Sequence, residues 1–184
     1  MQKTEKFTFR FYLLTLNKVL EQPRKFFSEL PQESELKKPF GFLAVSSLFF
    51  AVASTVSGMC PNPFVIGSIF FINAIGMVFI SAGIGYMTMT MIMGRNVTFV
   101  KFFSIYAFAS GVTLLASWIP FFIWVTEPWK WWLIGTGMIK ACGFSWKQAC
   151  LIIGISIVIL VLFFKSLIPV IFYVRSLYLD SNSF

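Results

Sequence analysis

Very few residues in this chain have side chains that could carry out catalysis. The sequence contains no histidine, and Glu127 is the only carboxylate between Pro39 and Val174. General acid–base catalysis near neutral pH depends mainly on His, Asp and Glu. The three cysteines show no C-x-x-C spacing, which is typical of buried, unreactive thiols. We therefore expect no catalytic residue, no metal site, no cofactor and no enzymatic activity.

The composition is that of a protein adapted to a membrane. Apolar residues make up 58% of the chain and charged residues 12%, whereas a globular domain has about 25% charged residues. Apolar runs of at least about 18 residues recur, which is typical of membrane-spanning helices. We therefore predict an all-α, polytopic integral membrane protein. The excess of Lys and Arg, 15 against 7 Asp and Glu, then reflects membrane topology and not binding to nucleic acid.

The apolar runs predict about five membrane-spanning helices within residues 39–175. Their predicted ranges are 39–58, 64–93, 102–125, 129–146 and 147–174. Pro120 is expected to kink the third span. Ser145 and Gln148 have the spacing of a capping box at the start of the fifth. The fourth span is the shortest and crosses only if Lys140 extends back toward the headgroups. Residues 176–184 are predicted to form a short external tail.

The distribution of Lys and Arg predicts the orientation of the chain. With five spans, twelve of these cations lie on the side of the amino terminus and two, Lys130 and Arg175, on the other side, with Lys165 left aside. With four spans the division is eleven to three. Because positive residues accumulate on the cytoplasmic side, we expect five spans in the cell membrane, with the amino terminus in the cytoplasm and the carboxyl terminus outside.

Residues 1–38 are predicted to form an amphipathic helical segment at the cytoplasmic surface. Their apolar residues recur close to a 3.6-residue period, with charged residues largely on the other side. Pro23 interrupts the pattern, so two short helices with a joint are expected. The apolar side faces either the bilayer or the protein's own spans, and the sequence leaves both alternatives open. The residues expected to anchor this segment at the membrane surface are Arg24, Lys25, Phe26 and Phe27.

Two stretches of the sequence resemble a known family. VLEQPRKFFSEL followed by KKPFGFLAVSS resembles the opening of bacterial members of the Yip family, the Ypt/Rab-GTPase-interacting membrane proteins. WWLIGTGMIKACGFSWKQA is similar to the family's short fourth segment, glycine-containing loop and start of the fifth span. The resemblance implies five spans and a cytoplasmic amino terminus, here in the bacterial inner membrane. The acidic DLYGP-type segment of eukaryotic members is absent, so their Rab-binding and vesicle-budding role is not implied.

Two polar residues inside apolar runs, Lys165 and Asn73, are candidate contacts for a lipid or a substrate. A lysine at the centre of a spanning helix is costly and often functional. Lys165 lies 18 residues beyond Lys147, a distance of about 27 Å along a helix. It can therefore also extend to the outer headgroups, or pair with Glu127.

Small residues four positions apart predict close contacts between helices. Ser81 precedes Gly85 by this step, and Ala107 precedes Gly111. Such spacing lets two helix backbones approach closely. We expect these contacts inside the bundle of one chain, with contact between two copies as the alternative.

Tryptophans cluster near the predicted outer face, where they are expected to form an aromatic belt at the membrane boundary. A tryptophan-lined substrate cage is the alternative interpretation. The tryptophans concerned are Trp118, Trp124, Trp129, Trp131 and Trp132.

Two functions are compatible with these residues. The first is a non-enzymatic, Yip-like membrane scaffold, organiser or adaptor whose cytoplasmic helices hold the inner leaflet or a partner. The second is a passive channel or carrier for lipid-like or small neutral molecules, lined by the tryptophans together with Asn73, Ser81 and Thr88. The scarcity of charge within the spans favours the first. The expected partners are the lipid bilayer and either a second copy of the chain or another membrane protein.

Overall fold

The protein is all-helical wherever its structure is described, as the sequence predicts. The computed structural model describes residues 8–31, 35–58, 62–94 and 97–181, with side chains as far as residue 166. These ranges contain seven helices and no strand. In chain order they are α1 (Phe9–Glu21), α2 (Pro23–Ser28), α3 (Lys37–Ser57), α4 (Pro63–Met93), α5 (Phe99–Ser117), α6 (Ile123–Cys142) and α7 (Trp146–Ser181).

Four of these helices are long and apolar enough to cross a membrane by length and composition. They are α3, α4, α5 and the first part of α7, Trp146–Ser166. The α6 helix is not among them, and it carries three charged residues within its 20 positions. The prediction of a polytopic membrane protein is confirmed.

The α5 helix forms the centre of the bundle. Thirteen consecutive residues, from Lys101 to Thr113, are buried. Neighbouring helices approach α5 closely at glycines, where a side chain would collide. A Cβ atom at Gly111 would lie 2.7 Å from Cε1 of Phe42 on α3, and one at Gly85 on α4 would lie 3.1 Å from Cε1 of Phe102. Small residues therefore set the spacing of the helices around α5.

The α6 helix runs antiparallel to α5, with contacts from Thr126 to Gly137. At one end the hydroxyl of Ser117 donates to the hydroxyl oxygen of Thr126 at 3.3 Å. Toward the other end, a Cβ atom at Gly137 would lie 3.3 Å from Cγ1 of Ile105. With 20 residues, α6 is about 30 Å long. By length alone it matches α5, and the crossing of the membrane by α6 stays a prediction.

The turn between α5 and α6 differs from the prediction. The sequence predicted one helix through to residue 125 with a kink at Pro120, but α5 ends at Ser117 and α6 begins at Ile123. Pro120 has no N–H group with which to continue the helix, and the next residue, Phe121, adopts a left-handed φ of 68°. The two features together break the helix, so the predicted ranges 102–125 and 129–146 need correction.

The α7 helix begins as predicted and ends later than predicted. The backbone N–H of Gln148 donates to Oγ of Ser145 at 3.3 Å, and the N–H of Ser145 donates to Oε1 of Gln148 at 2.9 Å. The predicted capping box is confirmed. The helix then continues to Ser181, so most of the predicted tail at 176–184 is helical.

Candidate functional site: the amino-terminal helices on the bundle

The α1 helix is fastened to α3 by one tyrosine. The hydroxyls of Tyr12 and Ser46 lie 3.1 Å apart in a buried hydrogen bond. The Tyr12 ring packs on Phe42 with 4.9 Å between centroids. A buried polar pair of this kind fixes one orientation of α1, because breaking it would leave a hydroxyl without a partner. Tyr12 lies on the apolar stripe of the sequence but is not among the predicted site residues.

The α2 helix is held by the two phenylalanines of the PRKFF stretch. Pro23 occupies the start of α2, where its missing N–H costs nothing, and it produces the predicted joint after α1. Phe27 is fully buried, and a Cβ atom on Gly137 of α6 would lie 3.2 Å from its ring. Phe26 packs edge-on against Phe108 of α5, with centroids 5.0 Å apart. Of the two alternatives left open, these rings therefore face the protein's own helices and not lipid.

The other side of α1 and α2 is basic and exposed. Arg24 and Lys25 are both exposed, and further exposed cations lie at the same end of the bundle, where α3, α5 and α7 begin. We call the whole set the basic surface; its members are Arg10, Lys18, Arg24, Lys25, Lys37, Lys140 and Lys147. Among the residues that the structure describes, three exposed carboxylates occur at this end, Glu21, Glu29 and Glu35. Within the described ranges, none of them forms an ion pair with a residue of the basic surface.

A stripe of exposed apolar residues lies on α1 beside its buried face. Phe9 is 68% exposed, and Leu13 and Leu20 are 44% exposed. Apolar residues next to cations on one helix are typical of a helix at the boundary between headgroups and acyl chains. The predicted anchoring residues were Arg24, Lys25, Phe26 and Phe27. The two rings pack on the bundle, and anchoring at the membrane surface by the two cations stays a prediction.

Lys101 is a buried cation that the sequence analysis overlooked. It lies in the first turn of α5 and is only 8% exposed. The predicted third span begins at residue 102, which leaves Lys101 in the loop before it. The signal that could have revealed it is Thr98, whose hydroxyl accepts a hydrogen bond from the Lys101 N–H at 3.4 Å and caps the helix. In the described part of the chain, Lys101 has no carboxylate partner.

The opposite end of the bundle contains the ion pair between Glu127 and Lys130. Their Oε1 and Nζ atoms lie 2.6 Å apart, and the Lys130 ammonium lies 5.4 Å from the centroid of the Trp131 ring. Glu127 therefore pairs with its neighbour on α6, and the alternative of pairing with Lys165 needs correction. Lys165 itself is exposed on α7.

The tryptophans do not form one cage. Trp131 and Trp132 line an apolar groove between α6 and α7, with a volume of about 280 Å³, and the third tryptophan of this groove is Trp146. Trp118 instead donates from its indole N–H to the Leu115 carbonyl at 3.0 Å, and neither Trp124 nor Trp129 lines the groove. Cys150 also lines the groove and is exposed, which corrects the expectation of a buried thiol at this position. Cys60 lies outside the described residues.

The polar residues suggested for a conduit do not share one environment. Asn73 is exposed on α4 and Ser81 is half-buried. Thr88 is buried, and its hydroxyl donates to the Ile84 carbonyl of its own helix at 2.8 Å. The structure therefore gives no support to a polar path that runs through these three side chains.

The small residues expected at helix contacts lie inside the bundle. Gly85 and Gly111 are at the contacts of α5 with α4 and α3 described above, and Ala107 is fully buried on α5. Ser81 is only half-buried. The Tyr106 hydroxyl lies against Gly85 and has no hydrogen-bond partner among the residues that the structure describes.

The helical bundle, with four helices long and apolar enough to cross a membrane, defines the class as a polytopic membrane protein. A family model described as the Yip1 domain matches residues 17–168. This range begins within α1, contains α2 to α6 and ends within α7, so the chain belongs to the Yip1 domain family. The resemblance to the Yip family is thereby confirmed, and membership of its bacterial branch stays a prediction. No curated protein and no solved structure matches the chain.

Proposed function

We propose that this Yip1-family protein is a non-enzymatic membrane scaffold or adaptor that presents the basic surface at the cytoplasmic face of the bilayer. The observation that carries the proposal is the two-sidedness of α1 and α2. Their aromatic side is locked onto the bundle through Tyr12 and Phe27, while Arg24 and Lys25 point away from it.

This arrangement suits the recruitment of an acidic partner. A helix pair that is fixed to the bundle does not lose its conformational entropy again on binding, so more of the contact energy is available for affinity. The cations of the basic surface have no ion pair in the described ranges, so a partner need not displace one. Each cation near an anionic leaflet contributes about 1 kcal/mol, which also favours location of the pair at the inner headgroups.

The scarcity of catalytic side chains supports a non-enzymatic role. The chain has no histidine, and the one carboxylate between Pro39 and Val174 is engaged by Lys130. Within the described ranges no three His, Cys, Asp or Glu side chains lie close enough together to hold a metal ion. The groups that usually move protons or bind metals are thus few.

The experiment compares partner capture by the wild type with that by the double variant Arg24→Ser, Lys25→Ser. Both substituted residues are exposed, so the packing of Phe26 and Phe27 should survive. Proteins that co-purify from native membranes would be quantified by mass spectrometry. We expect the variant to lose a defined set of partners at least about tenfold, which corresponds to the loss of about 1.4 kcal/mol.

The matched control removes a cation elsewhere. Lys165→Ser deletes one exposed charge from α7 and should leave partner capture unchanged. In parallel, the purified protein in liposomes should neither scramble fluorescent lipids nor pass small neutral solutes. Equal capture by both variants, or clear flux in liposomes, would contradict the scaffold proposal, and flux would favour the passive conduit.

A further inference from the structure

Asn73 places a polar amide on the outer surface of a membrane-spanning helix. It is exposed on α4, and within the described part of the chain nothing is hydrogen-bonded to its side chain. An amide in hydrocarbon costs several kcal/mol unless it finds a hydrogen-bond partner, because acyl chains offer none.

The depth of Asn73 follows from the packing of α4 against α3. The rings of Phe50 and Phe70 lie 6.2 Å apart, and so do those of Phe40 and Phe79. Asn73 lies between Phe70 and Phe79, so it is level with the middle of α3, which runs from Lys37 to Ser57. The amide is therefore close to the midplane of the bilayer, where water and headgroups are out of reach.

The exposed serines on the spans are satisfied within their own helices. The Ser68 hydroxyl, also exposed on α4, donates to the Phe64 carbonyl at 2.8 Å. A hydroxyl can do this because its donor is single and close to the backbone. An asparagine has two N–H donors and an acceptor, so Asn73 requires a partner outside its own helix.

The face of α4 around Asn73 has the spacing of a helix–helix interface. The face consists of Ile69, Asn73, Gly76, Ile80, Gly83 and Met87, at alternating steps of four and three residues. This is the repeat of two helices that pack side by side. It lies on the side of α4 opposite the buried stripe, which contains Ala74, Val78, Ala82 and Gly85. We call it the Asn73 face.

The two glycines of the Asn73 face are not used within the chain. A Cβ atom added to Gly76 or to Gly83 would meet nothing within 4 Å. This contrasts with Gly85 on the same helix, where an added Cβ would collide with Tyr106. The two open glycines leave room for a second helix to approach the backbone closely.

We infer that the Asn73 face is the contact surface for a second copy of this chain, which forms a parallel, two-fold symmetric dimer. Two copies inserted in the same orientation have Asn73 at the same depth. A two-fold axis normal to the membrane then brings Asn73 opposite Asn73 of the partner subunit, and each amide donates to the other. A single asparagine at such a position fixes the register of paired helices. Lipid cannot supply this bond, which favours a second copy as the occupant.

The test measures dimerisation of the purified, full-length protein in liposomes. Copies labelled with donor or acceptor at the carboxyl terminus would be mixed, and energy transfer followed as the lipid-to-protein ratio increases. We expect a dimer whose dissociation constant rises about tenfold in Asn73→Leu. In Gly76→Ile, the larger side chain should block close approach and reduce dimerisation further.

Two control variants separate the interface from general effects. Gly154→Ile changes an exposed glycine on α7 that also has nothing within 4 Å of an added Cβ, and Ser68→Ala removes a polar group that is already satisfied. Both should dimerise as the wild type does. At a lipid-to-protein ratio at which the wild type is monomeric, all four variants should keep the wild-type melting temperature, because none of the four positions is buried.

Cysteine cross-linking provides a second, independent measurement. In a variant with Cys60, Cys142 and Cys150 changed to serine, Ile80→Cys should form a disulfide between copies, whereas Val158→Cys on α7 should not. Monomeric wild-type protein at all lipid ratios would overturn the inference. So would equal effects of Asn73→Leu and Gly154→Ile, or cross-linking at both positions. Neither the proposed scaffold role nor its partner-capture test depends on this dimer.

Discussion

The α5 and α7 helices are both apolar enough to cross a membrane, yet they occupy opposite environments. In the apolar stretch of α5 that is long enough to cross, 72% of the residues are buried. In the corresponding stretch of α7 only 22% are buried, although α7 is the more apolar helix. Apolar character therefore does not mark the centre of this protein. In lipid, apolar surface gains little from leaving the acyl chains, so helices associate where small residues allow close packing.

The residues of the two helices show this difference directly. On α5 the five residues AFASG, from Ala107 to Gly111, are all buried. On α7 large aliphatic residues face outward, and Val158 and Leu162 are 58% and 61% exposed. The small residues of α5 allow neighbouring helices to pack closely against it, so α5 is central. The large aliphatic side chains of α7 are compatible with exposure to lipid, so α7 is peripheral.

The largest expected effect concerns α6, which accompanies α5 but is not apolar enough to be counted as a crossing helix. If α6 crosses as α5 does, a reporter fused after Phe121 will be external and one fused after Gly143 cytoplasmic. Full-length fusions should place the carboxyl terminus outside, because five crossings reverse the side. Reporters on the same side after Phe121 and Gly143 would show that α6 does not cross, and the alternative of four spans would replace the five.

The next prediction compares a glycine on the central helix α5 with a glycine on the peripheral helix α7. Gly111→Leu introduces a large side chain where even a Cβ would lie 2.7 Å from Phe42. We expect a loss of about 3 kcal/mol or more in the free energy of unfolding, measured by unfolding in detergent. Gly154→Leu on α7 meets open space and should leave stability unchanged. Similar losses at both positions would show that α7 is packed as tightly as α5.

A third prediction compares two phenylalanines of the amino-terminal helices. Phe27→Ala removes a fully buried ring and should cost roughly 3 kcal/mol. That loss is enough to release α2 from the bundle while the spans stay inserted. Limited proteolysis should then cleave within residues 8–31 faster than in the wild type. Phe9→Ala changes a ring that is 68% exposed and should leave the cleavage rate as it was; unchanged protection in Phe27→Ala would mean that this ring is not the anchor.

The sequence predicts much of this fold because local chemistry sets the helix boundaries. Pro23 produces the joint between α1 and α2, and Ser145 with Gln148 caps α7. Pro120 was recognised but misinterpreted, because a kink and a break differ only in the backbone angles of the next residue, and Phe121 is left-handed. Local patterns carry no information on which of these outcomes the surrounding helices impose.

The environment of individual residues was harder to predict for a physical reason. Period and composition place Phe27 on an apolar side, but lipid and protein interior are both apolar, so the sequence could not choose between them. The burial of Lys101 was missed for a different reason, because a cation in a predicted loop is expected to be exposed to water. For Phe27, the deciding feature is the three-dimensional approach of α2 to α6, where a Cβ atom on Gly137 would lie 3.2 Å from the Phe27 ring.

A smaller effect is expected at two buried tyrosines, of which only one has a hydrogen-bond partner among the described residues. The Tyr12 hydroxyl bonds Ser46, so Tyr12→Phe should lower the free energy of unfolding by about 1 kcal/mol. The Tyr106 hydroxyl is buried against Gly85 without a hydrogen-bond partner in the described residues. Tyr106→Phe should therefore be neutral or stabilise by up to about 1 kcal/mol. A loss in Tyr106→Phe as large as that in Tyr12→Phe would reveal a partner for the hydroxyl and hence a polar contact at the centre of the bundle.

The smallest effect is expected at Lys165, at the far end of the exposed part of α7. It lies 18 residues beyond Lys147 on the same helix, about 27 Å away, so the two exposed cations are separated by nearly the thickness of the hydrocarbon. Each can then extend its ammonium into headgroups on its own side. Lys165→Arg keeps the cation and should change neither stability nor partner capture. Lys165→Leu lets α7 slide deeper, so a cysteine at Ser166, in the variant without native cysteines, should react more slowly with a membrane-impermeant maleimide. If Lys165→Arg abolished partner capture while expression and insertion stayed intact, Lys165 would be a recognition residue and α7 more than a lipid-facing helix.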